Sequence, residues 1–114
     1  MSERDIPSLL QDILEAIGNI KDFTKGITFN IYLGDLKTRH AVERNFSIIG
    51  EAVARIDKTF RDKYPSVDWR EVKDFRNIIV HDYFSIDDVL AWEIIHLILV
   101  QLENVTVVIL ASVS

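Results

Sequence analysis

Hydrophobic residues recur at three- and four-residue spacing along most of this chain, which is the pattern of amphipathic helices. The first such stretch predicts a helix from about Ile6 to Phe23, with Pro7 in its first turn and Gly26 just beyond its end. The longest stretch predicts a second helix from about Asp35 to Arg61. The connection between them, Ile27 to Gly34, is apolar enough to pack, and its conformation is left open.

Two capping patterns divide the rest of the chain into a third and a fourth helix. Asp68 with Glu71 three residues later predicts the start of the third, and Ser85 with Asp88 predicts the start of the fourth. The fourth helix, from about Ile86 to Leu110, is apolar around most of its circumference, so it must bury more than one side. Four helices with short connections predict a single-domain, all-α, up-and-down bundle, and the second apolar side suggests a homodimer.

The composition is that of a folded globular domain, with 48% hydrophobic and 27% charged residues among 114. The chain has no cysteine, which excludes disulfides, thiolate catalysis and zinc sites built from cysteine. The histidines His40, His81 and His96 share no metal-ligand spacing, and the four glycines are isolated instead of forming a phosphate loop. We therefore expect neither a metal nor another cofactor.

Two features favour a cytoplasmic protein with no membrane partner. The amino-terminal sequence MSERDIPSLL carries charges where the apolar core of a secretory signal would begin. The longest apolar run, Ile94 to Val100, is interrupted by His96 and is too short and too polar to span a membrane.

The net charge of −5 argues against a broad basic face for nucleic acid. Basic residues do cluster between positions 58 and 76, but acidic residues interleave with them. The basic ones are Lys58, Arg61, Lys63, Arg70, Lys73 and Arg76, and the acidic ones are Asp57, Asp62, Asp68, Glu71 and Asp74. Such a mixture is usually a solvated surface, so any RNA contact must be a local groove.

One polar constellation, in the stretch from Asp68 to Tyr83, is not explained by packing. On an ideal helix Arg76 falls within the apolar stripe, while Asn77 and His81 stack on the opposite face. Arg76 and His81 are then about 140° apart, so they converge only if the helix loosens or a second chain supplies one of them. In a purely structural interpretation, Arg76 extends its charged group from the apolar stripe to solvent or pairs with a core acid. His81 is then only an exposed residue at a helix end.

The same residue types suit chemistry on a phosphodiester. Arginine offers a planar, permanently charged fork for phosphate oxygens, and histidine titrates near neutrality and can move protons. Asparagine can orient either group. This chemistry makes Arg76, His81 and Asn77 the candidate catalytic residues.

Residues 76–83, RNIIVHDY, resemble the R-x4-H motif of the HEPN superfamily in the extended R-N-x-x-x-H-x-Y form of its HepT-like branch. Ala41 to Ala52 resembles the second-helix segment of that branch, and Pro65 to Trp69 resembles its connection before the motif. The resemblance implies a metal-independent ribonuclease toxin that works as a homodimer. It also implies an MntA-type nucleotidyltransferase antitoxin that silences the toxin by adding AMP units to Tyr83.

We interpret the chemistry as attack by the 2′-hydroxyl of RNA on the adjacent phosphorus. His81 would move a proton, Arg76 would stabilise charge on the phosphoryl oxygens, and Asn77 would orient His81 or the phosphate. Such cleavage needs an acid and a base, and a two-fold axis that brings both copies of His81 together would supply them. Asp82 beside His81, and Glu51 on the second helix, are candidate supporting residues, although plain exposure also fits Glu51.

Alternatives remain at this stage. Tyr83 fits a core aromatic as well as a modified residue at a corner. The chain could also be a catalytically silent HEPN module that binds a nucleotide or docks a nucleotidyltransferase, or a dimerising bundle without chemistry.

Overall fold

The computed structural model describes residues 5–78 and 86–113, and the side chains of residues 86 and 87 are not described. Helices, turns and loops make up both ranges, and neither range contains a strand. This confirms the predicted all-α bundle. The core forms where the first helix packs against the long third helix and against the last helix, and where residues 69–77 pack on the third helix.

The first helix, α1, spans Ile6–Thr24 and confirms the predicted element to within one residue. Asp5 caps it by accepting a hydrogen bond from the Ser8 amide at 2.8 Å. Gly26 follows the helix with a φ of 74°, a conformation in which a glycine carries no steric penalty. The buried stripe of α1 includes Leu9, Leu10, Ile13, Ile17 and Ile20.

The connection whose conformation was left open contains a short helix, α2, over Phe29–Gly34. Thr28 caps it through a 3.2 Å hydrogen bond from the Ile31 amide. Its buried Tyr32 lies with its ring centroid 5.1 Å from that of Trp92, on the last helix. This contact joins α2 to the bundle.

The long helix α3 spans Leu36–Arg55, and its predicted extension to Arg61 is wrong. Ile56 is extended, with φ −81° and ψ 129°, and a separate short helix, α4, follows over Lys58–Arg61. The apolar spacing does not reveal this break, because Ile56 is buried in the structure just as a continuous seam would require. The backbone therefore changes direction at Ile56, although the spacing of apolar residues continues through this position.

The predicted third helix begins as expected but ends early. Helix α5 covers Trp69–Lys73, and its Asp68 cap accepts a hydrogen bond from the Glu71 amide at 3.1 Å. A 3₁₀ turn over Asp74–Asn77 follows, and Ile78 is already extended. Among the described residues, the regular α-helix assumed for the motif therefore ends at Lys73.

The last part of the chain is a continuous helical segment made of α6 (Ile86–Glu93), a π-helical stretch (Ile94–Ile98) and α7 (Leu99–Val113). It starts at the predicted residue and runs three residues beyond the predicted end. One side is buried in the core, and the other exposes a set of large apolar side chains. The exposed set is Leu90, Leu97, Val100, Val107 and Val108, which we call the outer apolar face.

Within the described ranges, one helix, Asp88–Val113, is long and apolar enough to cross a membrane by length and composition. Its most apolar window is 33% buried inside the protein. The sequence predicted that the run from Ile94 to Val100 is too short and too polar to span a membrane. The prediction was wrong about length, because that run is part of the longer apolar helix Asp88–Val113. Core helices of soluble proteins can have the same length and composition.

Candidate functional site

Arg76 is exposed, contrary to the expectation that it lies within the apolar stripe. The reason is the change from α to 3₁₀ geometry at Asp74, which advances each residue by about 120° instead of 100°. A three-residue period then places Val72, Phe75 and Ile78 in the core. The ring of Phe75 packs edge-on against Phe46 of α3 at 5.4 Å, so Phe75 takes the inward position and Arg76 faces solvent.

The interpretation that Arg76 pairs with a core acid finds no support in residues 5–78 and 86–113, where no carboxylate lies within ion-pair distance of it. Asn77, next to it at the end of the 3₁₀ turn, is exposed as predicted. The structure thus presents the first two motif residues side by side, with the guanidinium unoccupied by any described partner. A phosphate could approach both.

Gly50 of α3 determines how close the Arg76 backbone lies to the bundle. A Cβ atom at this position would stand 2.7 Å from the Lys73 carbonyl oxygen and 2.8 Å from the Arg76 amide nitrogen. Both neighbours are backbone atoms, so neither can rotate away. The element that Gly50 admits so closely is the 3₁₀ turn that carries Arg76, together with the end of α5 before it. Glu51, the next residue, is exposed and forms no described ion pair with Arg76.

Three predicted site residues, His81, Asp82 and Tyr83, lie outside the described ranges. Their convergence with Arg76 therefore stays a prediction. The described part of the chain does show that the helix loosens before it reaches them, since Ile78 is extended. This is one of the two conditions under which Arg76 and His81 could converge.

Sequence reasoning missed a buried ion pair on the carboxyl side of the motif. Nη1 of Arg39, on α3, lies 3.6 Å from Oδ1 of Asp88, in the first turns of α6, and their side chains are only 3% and 2% exposed. Asp88 was expected to complete a capping box with Ser85, which is outside the described ranges. The available signal was Arg39 itself, a charge placed among the apolar positions of α3.

Tyr32 lies close enough to the Arg39–Asp88 pair for these charges to affect the pKa of its hydroxyl. Burial raises the pKa of the Tyr32 hydroxyl above its usual range, and the negative charge of Asp88 raises it further. Its hydroxyl has no hydrogen-bond partner among the described residues. Tyr32 is therefore neutral at physiological pH, and the pair with Tyr32 joins α2, α3 and the last helix.

Within the described residues, no three His, Cys, Asp or Glu side chains come together to hold a metal ion. His96 is exposed, and its Nδ1 lies 2.8 Å from the Trp92 carbonyl oxygen one turn earlier. That contact is local to its own helix. His96 lies on the last helix, and no contact among residues 5–78 and 86–113 joins it to Arg76.

Comparisons with known proteins agree on one family. Residues 13–109 match the sequence profile of the family described as Ribonuclease HepT-like. A protein of Methanocaldococcus jannaschii named as a candidate RNase is 44% identical over 95 residues, which cover 83% of this chain and 87% of that protein. A Thermococcus cleftensis protein named as a candidate ribonuclease HepT is 40% identical over 91 residues, or 80% and 83% of the two chains. No solved structure gives a significant match.

Proposed function

Because this chain belongs to the HepT-like ribonuclease family, we propose that it is the ribonuclease toxin of a toxin–antitoxin pair and cleaves RNA without a metal ion. The observation that carries the proposal is the exposure of Arg76 beside Asn77, at the first position of the R-N-x-x-x-H-x-Y string. An arginine that served packing would be expected to have a partner or a buried stem at that point.

The proposed reaction is an internal displacement at phosphorus. The 2′-oxygen of the RNA attacks the adjacent phosphate, the bond to the 5′-oxygen of the next nucleotide breaks, and a 2′,3′-cyclic phosphate forms. One His81 imidazole accepts the 2′-hydroxyl proton, and a second one donates a proton to the departing 5′-oxygen. Arg76 stabilises the charge that grows on the phosphoryl oxygens, and Asn77 orients the group it contacts.

The need for two histidines requires a second copy of the chain, because each chain has one motif histidine. The outer apolar face supports this part of the proposal: Leu97 and Val108 are each 65% exposed in the single chain. Apolar surface of this kind is covered in a stable protein by a partner. We place the second copy there and the protein in the cytoplasm, with the two-fold axis bringing both motifs into one cleft.

The direct test is an assay of the purified chain on single-stranded RNA in the presence of EDTA. We expect cleavage with 2′,3′-cyclic phosphate ends, and sedimentation should show that the active species has the mass of two chains. His81→Ala should lose at least about a hundredfold in rate, with Trp92→Phe and His96→Ala as controls for unrelated changes. RNA binding without cleavage would support the catalytically silent module instead, and an active single chain would contradict the dimer.

Regulation by an MntA-type nucleotidyltransferase is the second part of the proposal. The Tyr83 hydroxyl would lose its proton and attack the α-phosphorus of ATP, which attaches AMP and releases pyrophosphate. The attached AMP would add negative charge and bulk two residues from His81, where both oppose RNA. After co-expression with an MntA-type nucleotidyltransferase, intact-protein mass spectrometry should show the mass of one or more AMP units. Tyr83→Phe should remove that mass and Tyr64→Phe should keep it. An adduct that survives Tyr83→Phe would place the modification elsewhere.

A further inference from the structure

A cleft of about 330 Å³ lies between α4 and α5, and cationic side chains make up most of its wall. Lys58 and Arg61 come from α4, and Arg70 and Lys73 come from α5. The remaining lining residues are Asp62 and Trp69. We call this the α4–α5 basic cleft.

The structure separates charges that alternate along the sequence. Of the nearby acidic residues only Asp62 lines the cleft, and its carboxylate is held by Lys58 at 3.0 Å. Asp68 is turned to the helix terminus, where it accepts the Glu71 amide hydrogen. The cleft is therefore locally positive although the chain carries a net charge of −5. A local field of this sign attracts a polyanion.

Arg61 shows that the cleft has donor capacity which the described protein groups do not use. Its Nε is buried and has no hydrogen-bond partner within residues 5–78 and 86–113. Buried donors of this kind are normally satisfied, by protein, by water or by a ligand. Arg61, which lines the cleft, therefore keeps a donor for which the described residues supply no acceptor.

The cleft is built for phosphates and not for bases. Its one aromatic residue, Trp69, is only 8% exposed, and its indole nitrogen already donates to the Tyr64 carbonyl oxygen at 2.9 Å. That ring is largely buried and offers little surface for a base to stack upon, and base stacking is what aromatic platforms give to single strands. Contacts by lysine and arginine alone position a nucleic acid without reading its sequence.

The cleft also leads to the candidate catalytic arginine. Lys73 is the last residue of α5, and Arg76 lies in the 3₁₀ turn that follows directly. The Lys73 carbonyl oxygen and the Arg76 amide nitrogen both border the same point of α3, at Gly50. Because Lys73 lines the cleft and Arg76 follows in the next turn, we expect a strand with one phosphate at Arg76 to place neighbouring phosphates along α5.

We propose that the α4–α5 basic cleft binds backbone phosphates of the RNA substrate on one side of the cleaved bond, independently of base sequence. This inference rests on the proposed ribonuclease function for the identity of the ligand. It assigns Lys58, Arg61, Arg70 and Lys73 to substrate binding and leaves the chemical step to the motif residues.

The test uses Arg70→Gln/Lys73→Gln in the full chain and a fluorescein-labelled 2′-O-methyl oligouridine, which lacks the attacking hydroxyl. We expect the affinity to fall about tenfold at low salt, and the slope of log affinity against log salt to shrink by about 1.4, since each phosphate contact on a single strand contributes about 0.7. Lys25→Gln/Lys37→Gln, which removes the same charge at exposed positions elsewhere, should change the slope little.

A charge-preserving variant, Arg70→Lys/Lys73→Arg, keeps the test decisive if the glutamine variant folds poorly. It should bind with nearly the original salt dependence, and with cleavable RNA the glutamine variant should raise KM far more than it lowers kcat. If the chain cleaves RNA but both double variants bind and cleave like the control, the cleft proposal is overturned and the ribonuclease stands. If the chain never cleaves RNA yet loses salt-dependent binding in the glutamine variant, the ribonuclease proposal fails and the phosphate cleft stands.

Discussion

Replacing Arg76 with alanine is expected to lower the rate of RNA cleavage by at least about a hundredfold while changing the free energy of unfolding by less than about 0.5 kcal/mol. The physical reason is its position. The guanidinium is exposed at the end of a 3₁₀ turn, and no described carboxylate pairs with it, so its removal disturbs no packing. It does remove the charge that would meet the phosphoryl oxygens in the transition state. Cleavage kinetics measure the expected loss of rate, and urea unfolding of the same preparation measures the expected small change in stability.

Two variants separate charge at this site from charge in general. Arg76→Lys keeps the charge but loses the planar fork, so it should retain only part of the activity. Arg55→Ala removes an exposed arginine at the end of α3 and should leave the rate near that of the original chain. If Arg76→Ala cleaves RNA at the original rate, the assignment of the site is wrong. If it unfolds at much lower urea, Arg76 has a structural role that its exposure does not show.

The second large effect concerns stability. Replacing Asp88 with leucine, or Arg39 with methionine, is expected to cost about 3–5 kcal/mol of unfolding free energy, because each change leaves one charge buried without its counter-ion. The double variant, Arg39→Met/Asp88→Leu, should recover most of that loss. Removing the exposed pair by Lys58→Ala should cost less than about 1 kcal/mol, although its 3.0 Å distance is shorter. Chemical unfolding of the four variants measures the difference.

The double variant decides whether the two residues act as a pair. If Arg39→Met/Asp88→Leu loses as much stability as the two single variants together, the assignment of the pair is wrong, because removing both charges should cost less than removing either one alone.

The sequence determined those features that local chemistry decides. The start of α5 follows from Asp68, whose carboxylate reaches an amide three residues later whatever the rest of the chain does. The span of α1 and the apolar stripe along it were predicted for the same reason, because helical spacing alone puts those side chains on one face. The motif also identified the family, because it consists of residue types at fixed spacing and can be recognised without coordinates.

Tertiary structure alone decided where backbone direction changes and which charges meet. Ile56 would be buried whether α3 ends there or continues, so the spacing of apolar residues does not predict the break. Arg76 faces solvent because Phe75 fills the inward position against Phe46, while the backbone of Arg76 lies at Gly50; both contacts join segments some 25 residues apart in sequence. The Arg39–Asp88 pair and the basic cleft likewise join residues from different elements. Contacts between residues far apart in sequence depend on how the helices pack, and the periodicity of apolar residues does not predict that packing.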